Sequence, residues 1–201
     1  DNMRFSIKEG GISQVKTEML VIPIFEDDKS AEGIPQGDIK HKITDIIRSG
    51  DFNGEKNQAF LFHSNTDAKR VLLVGLGKKK EFSIDIFRDA VISSAKAARS
   101  KNYTDYVFYL SENYDLPLDT LARAFTEYSQ MCFFKYDRFK TKNGESNKKE
   151  LEQFSLLLDK STIQIKNEAN KGLILGEANL LTRELANTPS NELTPTMFAD
   201  I

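Results

Sequence analysis

The sequence contains one cysteine and no long apolar run. Cys132 has no possible partner within the chain, which excludes an internal disulfide and fits a reducing compartment, so we expect a cytoplasmic location. No apolar stretch approaches the roughly 18 residues that a membrane span requires, so we expect no membrane partner. The segment that begins at Asp1 is not followed by the apolar core of a signal peptide.

Histidine is also scarce, since His41 and His63 are the only two. No HExxH pattern or His/Cys cluster is present, and the 30 acidic residues are scattered over predicted polar faces. A dinuclear centre needs several carboxylates that converge on two ions. We therefore predict no metal ligand and no catalytic residue. Cys132 lies at helical spacing with Phe125 and Tyr128, which favours a small buried hydrophobe over a nucleophile.

The overall charge points to no particular class of partner. The 28 basic and 30 acidic residues leave a formal charge of -2, which gives no general attraction to nucleic acid or to a membrane surface. Apolar residues make up 39% of the chain, enough to bury a core. A length of 201 residues then suits one domain of ordinary size with a tail.

Strand and helix patterns alternate along the chain. Helical spacing marks 38–48, a helix that Ser83 caps, and a helix from Leu118 to Cys132. This alternation predicts an α/β fold of three layers, with a mixed sheet covered by helices on both faces. Pro23 argues against a fully central position for its strand, and the first strand is expected at an edge. The predicted strands are Met3–Lys8, Met19–Phe25, Ala59–Phe62, Val71–Val74, Tyr106–Leu110 and Phe154–Leu158.

The last long helix has an apolar series of its own, namely Ile174, Ala178, Leu181 and Leu185. We expect this face to pack on the sheet, so that Leu181→Asp should detach the helix. Pro189 ends the helix, and Thr194-Pro195 is typical of the cap and first residue of another. Because that helix would have only about seven residues, we expect the chain to be the front piece of a longer protein.

The segment Arg183-Glu-Leu-Ala-Asn-Thr-Pro-Ser-Asn-Glu-Leu-Thr-Pro195 resembles the connection between the two domains of the leucyl (cytosol) aminopeptidases. Upstream, Arg70–Gly77, the helix that holds Phe87–Ala90, and Lys171–Glu177 also agree with that family, so the resemblance covers nearly the whole chain. It implies a macro-domain-like fold for the N-terminal domain. The expected division is that domain at 1–166, a long helix at 167–187, and a linker with the first turn of a missing catalytic domain at 188–201.

The resemblance implies a function for the parent protein rather than for this chain. The chain would be the non-catalytic N-terminal domain of a metallo-exopeptidase that removes N-terminal residues from peptides. Its partners would be its own C-terminal catalytic domain and the other subunits of a homo-hexamer. Two divalent metals, zinc or manganese, would be bound by the downstream domain, and this chain would need no cofactor. None of the family's metal ligands or catalytic residues maps onto 1–201, so we expect this chain alone to be inactive.

One short stretch matches part of the family's catalytic signature. Asn65-Thr66-Asp67-Ala68 agrees with the start of Asn-Thr-Asp-Ala-Glu-Gly-Arg, but Lys69 stands where the metal-binding Glu would be. The stretch also lies far upstream of the inter-domain connection, whereas the signature lies downstream of it. Asn and Asp bond their own backbone in turns, so we predict a turn between two strands.

Two other ligands are open alternatives. The glycines and lysine of Gly75-Leu-Gly77-Lys78 follow a strand and precede a helix, so Gly75, Gly77 and Lys78 could hold a nucleotide or ADP-ribose in a macro-like module, or could form a plain turn. The basic segment Lys135–Lys149 could bind nucleic acid. The overlapping stretch Met131–Lys140 mixes aromatic and basic residues, which suits either single-stranded nucleic acid or the packed end of a core helix, and we favour packing.

Overall fold

The computed structural model describes residues 3–132, 150–189 and 195–199. Within these ranges the strands are β1 (Arg4–Glu9), β2 (Leu20–Ile24), β3 (Ala59–His63), β4 (Arg70–Gly75), β5 (Asp105–Tyr109) and β6 (Gln153–Leu158). The α-helices are α1 (Asp38–Ser49), α2 (Ile84–Ser100), α3 (Leu118–Cys132), α4 (Ile163–Asn187) and α5 (Pro195–Ala199). No helix among the described residues is both long and apolar enough to cross a membrane. The basic segment Lys135–Lys149 and the predicted cap Thr194 lie outside the described residues.

The strands form one mixed sheet in the order β1-β6-β5-β2-β4-β3. Neighbouring strands are parallel, except that β3 and β4 form an antiparallel hairpin. Helices alternate with strands along the chain, since α1 lies between β2 and β3, α2 between β4 and β5, and α3 between β5 and β6. The predictions of a mixed sheet and of an edge position for the first strand are therefore confirmed.

The expectation drawn from Pro23 is wrong about the position of its strand. β2 lies inside the sheet, between β4 and β5. Its pairing with β4 runs from Leu20 to Ile24, but its pairing with β5 covers only Leu20 and Val21. Proline has no N–H to donate, and the sheet accommodates it where the ladder on one side has already ended.

Helices cover both faces of the sheet, as expected for three layers. Alternate residues of β2 show the two sides, because Val21 belongs to one buried cluster, together with Met19 just before the strand, while Leu20, Ile22 and Ile24 belong to the other. The first cluster includes residues of α2, α3 and α4, and the second includes residues of α1. The continuous apolar strands are therefore buried on both faces, which is typical of parallel sheets.

Helix α2 has the start and the buried face that its sequence predicts. The Ser83 hydroxyl accepts a hydrogen bond from the Ile86 N–H at 3.4 Å and caps the helix. Phe87, Val91 and the alanines that follow at helical spacing are fully buried against the sheet. Hydrophobic periodicity is sufficient to predict the buried face of α2, because this helix has one apolar face and lies directly on the sheet.

The predicted packing face of α4 is wrong. Ile174 and Leu181 are 65% and 46% exposed, whereas the buried side of the helix carries Ala169, Gly172 and Gly176. This side packs against α3 rather than against the strands. A Cβ atom on Gly172 would lie 2.0 Å from the Thr126 hydroxyl oxygen of α3. The two helices approach so closely that only glycine fits, and apolar periodicity does not reveal a contact made by residues that lack side chains.

Candidate functional site

The carboxyl ends of the parallel strands meet at one edge of the sheet, where open α/β sheets bind ligands. A cavity of about 450 Å³ opens there, between the loops that follow β2, β5 and β6. Its lining combines backbone, amide and hydroxyl groups with three carboxylates. The lining residues are Glu32, Gly33, Ile34, Pro35, Tyr109, Ser111, Glu112, Asn113 and Asp159.

A tyrosine–carboxylate pair lines the cavity. The Tyr109 hydroxyl donates a hydrogen bond to the Asp159 carboxylate, with the oxygen atoms 3.1 Å apart. Burial raises the pKa of Tyr109 well above its ordinary value, and the nearby charge of Asp159 raises it further. The Tyr109 phenol therefore stays neutral at physiological pH. It acts as a hydrogen-bond donor that positions Asp159 and not as a general base.

The acidic lining is unfavourable for a phosphate ligand. Glu32, Glu112 and Asp159 all border the cavity, and carboxylates repel the negative charge of a pyrophosphate. Lys79 lies beside the lining residue Asn113, and its ammonium group donates to the Asn113 amide oxygen at 2.8 Å. Binding of a nucleotide or ADP-ribose remains a prediction, and the charge of this cavity argues against it.

The Gly75–Gly77 loop is closely packed against the turn that precedes β3. Gly75 donates to the Gln58 carbonyl at 2.8 Å, and Gly77 donates to the Gly54 carbonyl at 2.9 Å. A Cβ atom on Gly75 would lie 1.9 Å from the Glu55 carbonyl oxygen, and Gly77 has a φ of +72°. Close packing and backbone conformation therefore account for both glycines. Ligand binding by Gly75, Gly77 and the exposed Lys78 remains a prediction. A ligand that bound the amide groups of the two glycines would have to break their hydrogen bonds to Gln58 and Gly54.

Three loops at this edge of the sheet are held together by aromatic rings and one lysine. Phe25, Phe82 and Tyr114 follow β2, β4 and β5, and the Phe82 ring centroid lies 5.2 Å from that of Phe25 and 5.4 Å from that of Tyr114. The Lys79 N–H donates to the Asp27 carboxylate at 3.1 Å, while its ammonium group reaches Asn113. The loops beside the cavity are thus packed against one another.

The stretch Asn65–Ala68 forms the connection between β3 and β4, as predicted. The Ser64 N–H donates to the Lys69 carbonyl at 3.2 Å, and the Ser64 and Thr66 hydroxyls lie 2.8 Å apart. Ala68 is fully buried and bridges to Thr17. The partial match to the catalytic signature therefore belongs to a hairpin turn, in which the Ser64 hydroxyl accepts a hydrogen bond from the Thr66 N–H at 3.1 Å.

Metal-ligating and nucleophilic residues do not come together among the described residues. No group of three or more His, Cys, Asp or Glu residues in this part of the chain could hold a metal ion. His41 and His63 are both exposed. Cys132 is half-buried at the end of α3, and burial raises the pKa of its thiol, which disfavours the reactive thiolate.

Tyr109 and Asp159 belong to no motif in the sequence, which by itself predicts no site at these residues. The signal that could have found them is positional, because Tyr109 ends β5 and Asp159 directly follows β6. Polar residues at the carboxyl ends of neighbouring parallel strands meet at the same edge of the sheet. That strand order is not visible in the sequence, so the pairing of the two side chains could not be predicted.

Several curated proteins are similar to this chain over almost its whole length. A probable cytosol aminopeptidase of Nitrosospira multiformis is 32% identical over 212 residues, which is 98% of this chain and 40% of that protein. A probable cytosol aminopeptidase of Nitrosococcus oceani is 31% identical and is covered to 41% of its length. The chain therefore spans about two fifths of the length of the curated relatives that it matches.

Solved structures share the fold. A tomato leucine aminopeptidase variant superposes with a TM-score of 0.79 at 21% identity, over 99% of this chain and 41% of the tomato chain. The bottromycin maturation enzyme BotP, solved in complex with manganese, superposes with a TM-score of 0.67 at 22% identity, over 92% of this chain and 35% of its own. A family profile described as the N-terminal domain of the cytosol aminopeptidase family matches residues 21–143. With this match over more than half of its length, the chain belongs to the cytosol aminopeptidase family and corresponds to the N-terminal domain of its members.

Proposed function

We propose that this chain is the non-catalytic N-terminal domain of an aminopeptidase that removes N-terminal residues from peptides. The observation that carries the proposal is the asymmetry of coverage. Relatives named cytosol aminopeptidases match 98% of this chain, while the chain matches only about 40% of their length. The remaining 60% of such a protein has room for the catalytic machinery. This chain contributes a folded accessory domain.

The proposed chemistry belongs to the portion that this chain lacks. The metals expected from the family are two divalent ions, zinc or manganese, which activate water for attack on a peptide carbonyl. The described residues do not fit such a centre, because no suitable group of ligands converges among them. We therefore assign no catalytic step to residues of this chain. A homo-hexamer, peptide substrates and a cytoplasmic location belong to the same proposal.

The division of the chain is also a proposal. Residues 1–166 make up the macro-like domain, 167–187 the long helix that leads out of it, and 188–201 the connection to the catalytic domain. The helix α4 that contains the second segment begins earlier, at Ile163, where Thr162 caps it by accepting from the Ile165 N–H at 3.2 Å. The division at 166 therefore falls in the first turn of α4, and we propose it as a boundary of function rather than of secondary structure.

A comparison of two proteins tests the function. The 201-residue chain and the full-length product of its gene are each assayed with leucyl-β-naphthylamide, with and without a chelator. We expect turnover only from the full-length product, and we expect the chelator to abolish it. Chelator-sensitive turnover by the 201-residue chain would refute the non-catalytic assignment. A full-length product that hydrolyses no aminoacyl substrate would refute the peptidase assignment.

A further inference from the structure

Helix α4 has apolar residues on two opposite sides. One side, with Ala169, Gly172 and Gly176, is buried against α3. The other side carries Ile174, Ala178, Leu181 and Leu185, which follow one another at spacings of four, three and four residues. These four residues form what we call the outer stripe. A helix that is apolar on opposite sides is typical of one buried between two partners, whereas α3 covers only one side of α4.

The outer stripe is accessible in this chain. Ile174 and Leu181 are 65% and 46% exposed, and Ala178 is exposed between them. Isolated exposed apolar residues are ordinary, but a row of them along two turns of one helix face, from Ile174 to Leu181, marks an interaction surface. Leu185, at the end of the stripe, is half-buried. The polar residues Glu177 and Thr182 flank the row, so the surface has an apolar centre and a polar rim.

We propose that the outer stripe is the surface on which the catalytic portion of the parent protein packs. This inference rests on the proposed function. Two observations point to this occupant. The chain covers only about two fifths of its relatives and corresponds to their N-terminal domain, and α4 is the long helix near the carboxyl end of the matched chain. The stripe runs to Leu185, two residues before α4 ends at Asn187, so a domain that follows a short connection is held beside this face.

The test compares Leu181→Asp with Thr182→Asp, a matched control one residue along α4. Aspartate is introduced at both positions, but position 182 lies about 100° around the helix from the stripe. Leucine has a higher helix propensity than threonine, so a small extra loss of stability for Leu181→Asp is expected from propensity alone. In the 201-residue chain we expect both variants to melt within about 3 °C of the wild type, because both positions are exposed. A much larger loss for Leu181→Asp alone would show that the stripe is already covered within this chain and would overturn the proposal.

Hydrogen exchange of the peptides that cover residues 173–186 is then measured in the full-length product. We expect exchange to be roughly tenfold slower than in the 201-residue chain, and Leu181→Asp but not Thr182→Asp to remove this protection. Equal exchange in the two proteins, or protection that survives Leu181→Asp, would overturn the proposal. So would light scattering that shows a dimer of the 201-residue chain which only Leu181→Asp dissociates, because a second copy would then occupy the stripe.

The same samples separate this inference from the proposed function. If the full-length product hydrolyses leucyl-β-naphthylamide while its outer stripe exchanges as fast as in the 201-residue chain, only the docking surface is refuted. If the product is inactive on all aminoacyl substrates but the stripe is protected, the peptidase assignment fails and the surface still has a partner in the downstream segment.

Discussion

Replacement of Gly172 by alanine is expected to force α4 away from α3. The added Cβ atom would lie 2.0 Å from the Thr126 hydroxyl oxygen and 2.2 Å from the Arg123 carbonyl oxygen. The carbonyl belongs to the backbone of α3 and cannot rotate aside. The Thr126 hydroxyl also donates to the Ala169 carbonyl across the helix contact, at 2.9 Å, so moving it would disturb a buried hydrogen bond.

The expected loss of stability in Gly172→Ala is the difference between two opposing effects. Overpacking of a close contact costs about 3 kcal/mol when the backbone must move. Alanine is favoured over glycine in a helix interior by about 1 kcal/mol. The net loss in the free energy of unfolding is therefore about 2 kcal/mol, which lowers the melting temperature of a domain of this size by about 4–8 °C. Thermal melting followed by circular dichroism, with urea unfolding beside it, measures both quantities.

Gly176→Ala is the matched control, one turn further along α4. Its Cβ atom would lie 2.1 Å from the Gln130 side-chain oxygen, and the other nearest atoms also belong to the Gln130 side chain. That oxygen has no hydrogen-bond partner in the part of the chain that the structure describes, so rotating it away breaks no bond. We expect Gly176→Ala to change stability by less than about 1 kcal/mol. A Gly172→Ala variant as stable as Gly176→Ala would refute the inferred close approach.

Two further predictions concern the sheet. Gly75→Ala should lower the free energy of unfolding by about 3 kcal/mol or more, because its Cβ would lie 1.9 Å from the Glu55 carbonyl oxygen. If urea unfolding shows the variant to be as stable as the wild type, the loop before β3 moves freely to make room. Burial raises the pKa of Tyr106 above its ordinary value near 10, so the unfolded state loses this proton first. The contribution of Tyr106 to stability should therefore be constant below about pH 10 and fall above it. Tyr106→Phe should lower the free energy of unfolding by about 1 kcal/mol at neutral pH, since the Tyr106 hydroxyl lies 2.9 Å from that of Ser129. The variant should also lose less stability at alkaline pH than the wild type. An unchanged alkaline loss would show that Tyr106 does not cause it.

Patterns in the sequence predict only part of the candidate site. The Gly75–Gly77 loop is easy to notice in the sequence, yet its glycines are required by contact with residues 54–58, which are distant enough along the chain to be missed. The cavity that contains Tyr109 and Asp159 has no local signature, because its residues come from three separate loops. Only the order of the strands brings these residues together.

Local patterns determined the elements of this protein. Alternating apolar strands and amphipathic helices specified the α/β class, and Ser83 specified where α2 begins, because these signals depend on neighbours within a few residues. The segment around Arg183–Pro195 indicated the family for a similar reason, since it is a continuous stretch of sequence.

Tertiary structure alone decided which faces meet. Pro23 is tolerated inside the sheet because the pairing with β5 stops before it, and that depends on how far a neighbouring strand extends. The outer stripe of α4 has the apolar spacing of a packing face, yet the glycine side is buried, because two glycines let α3 approach more closely than branched side chains allow. Hydrophobic periodicity records which residues can be buried, while the steric fit between distant elements decides which of them are buried within this chain.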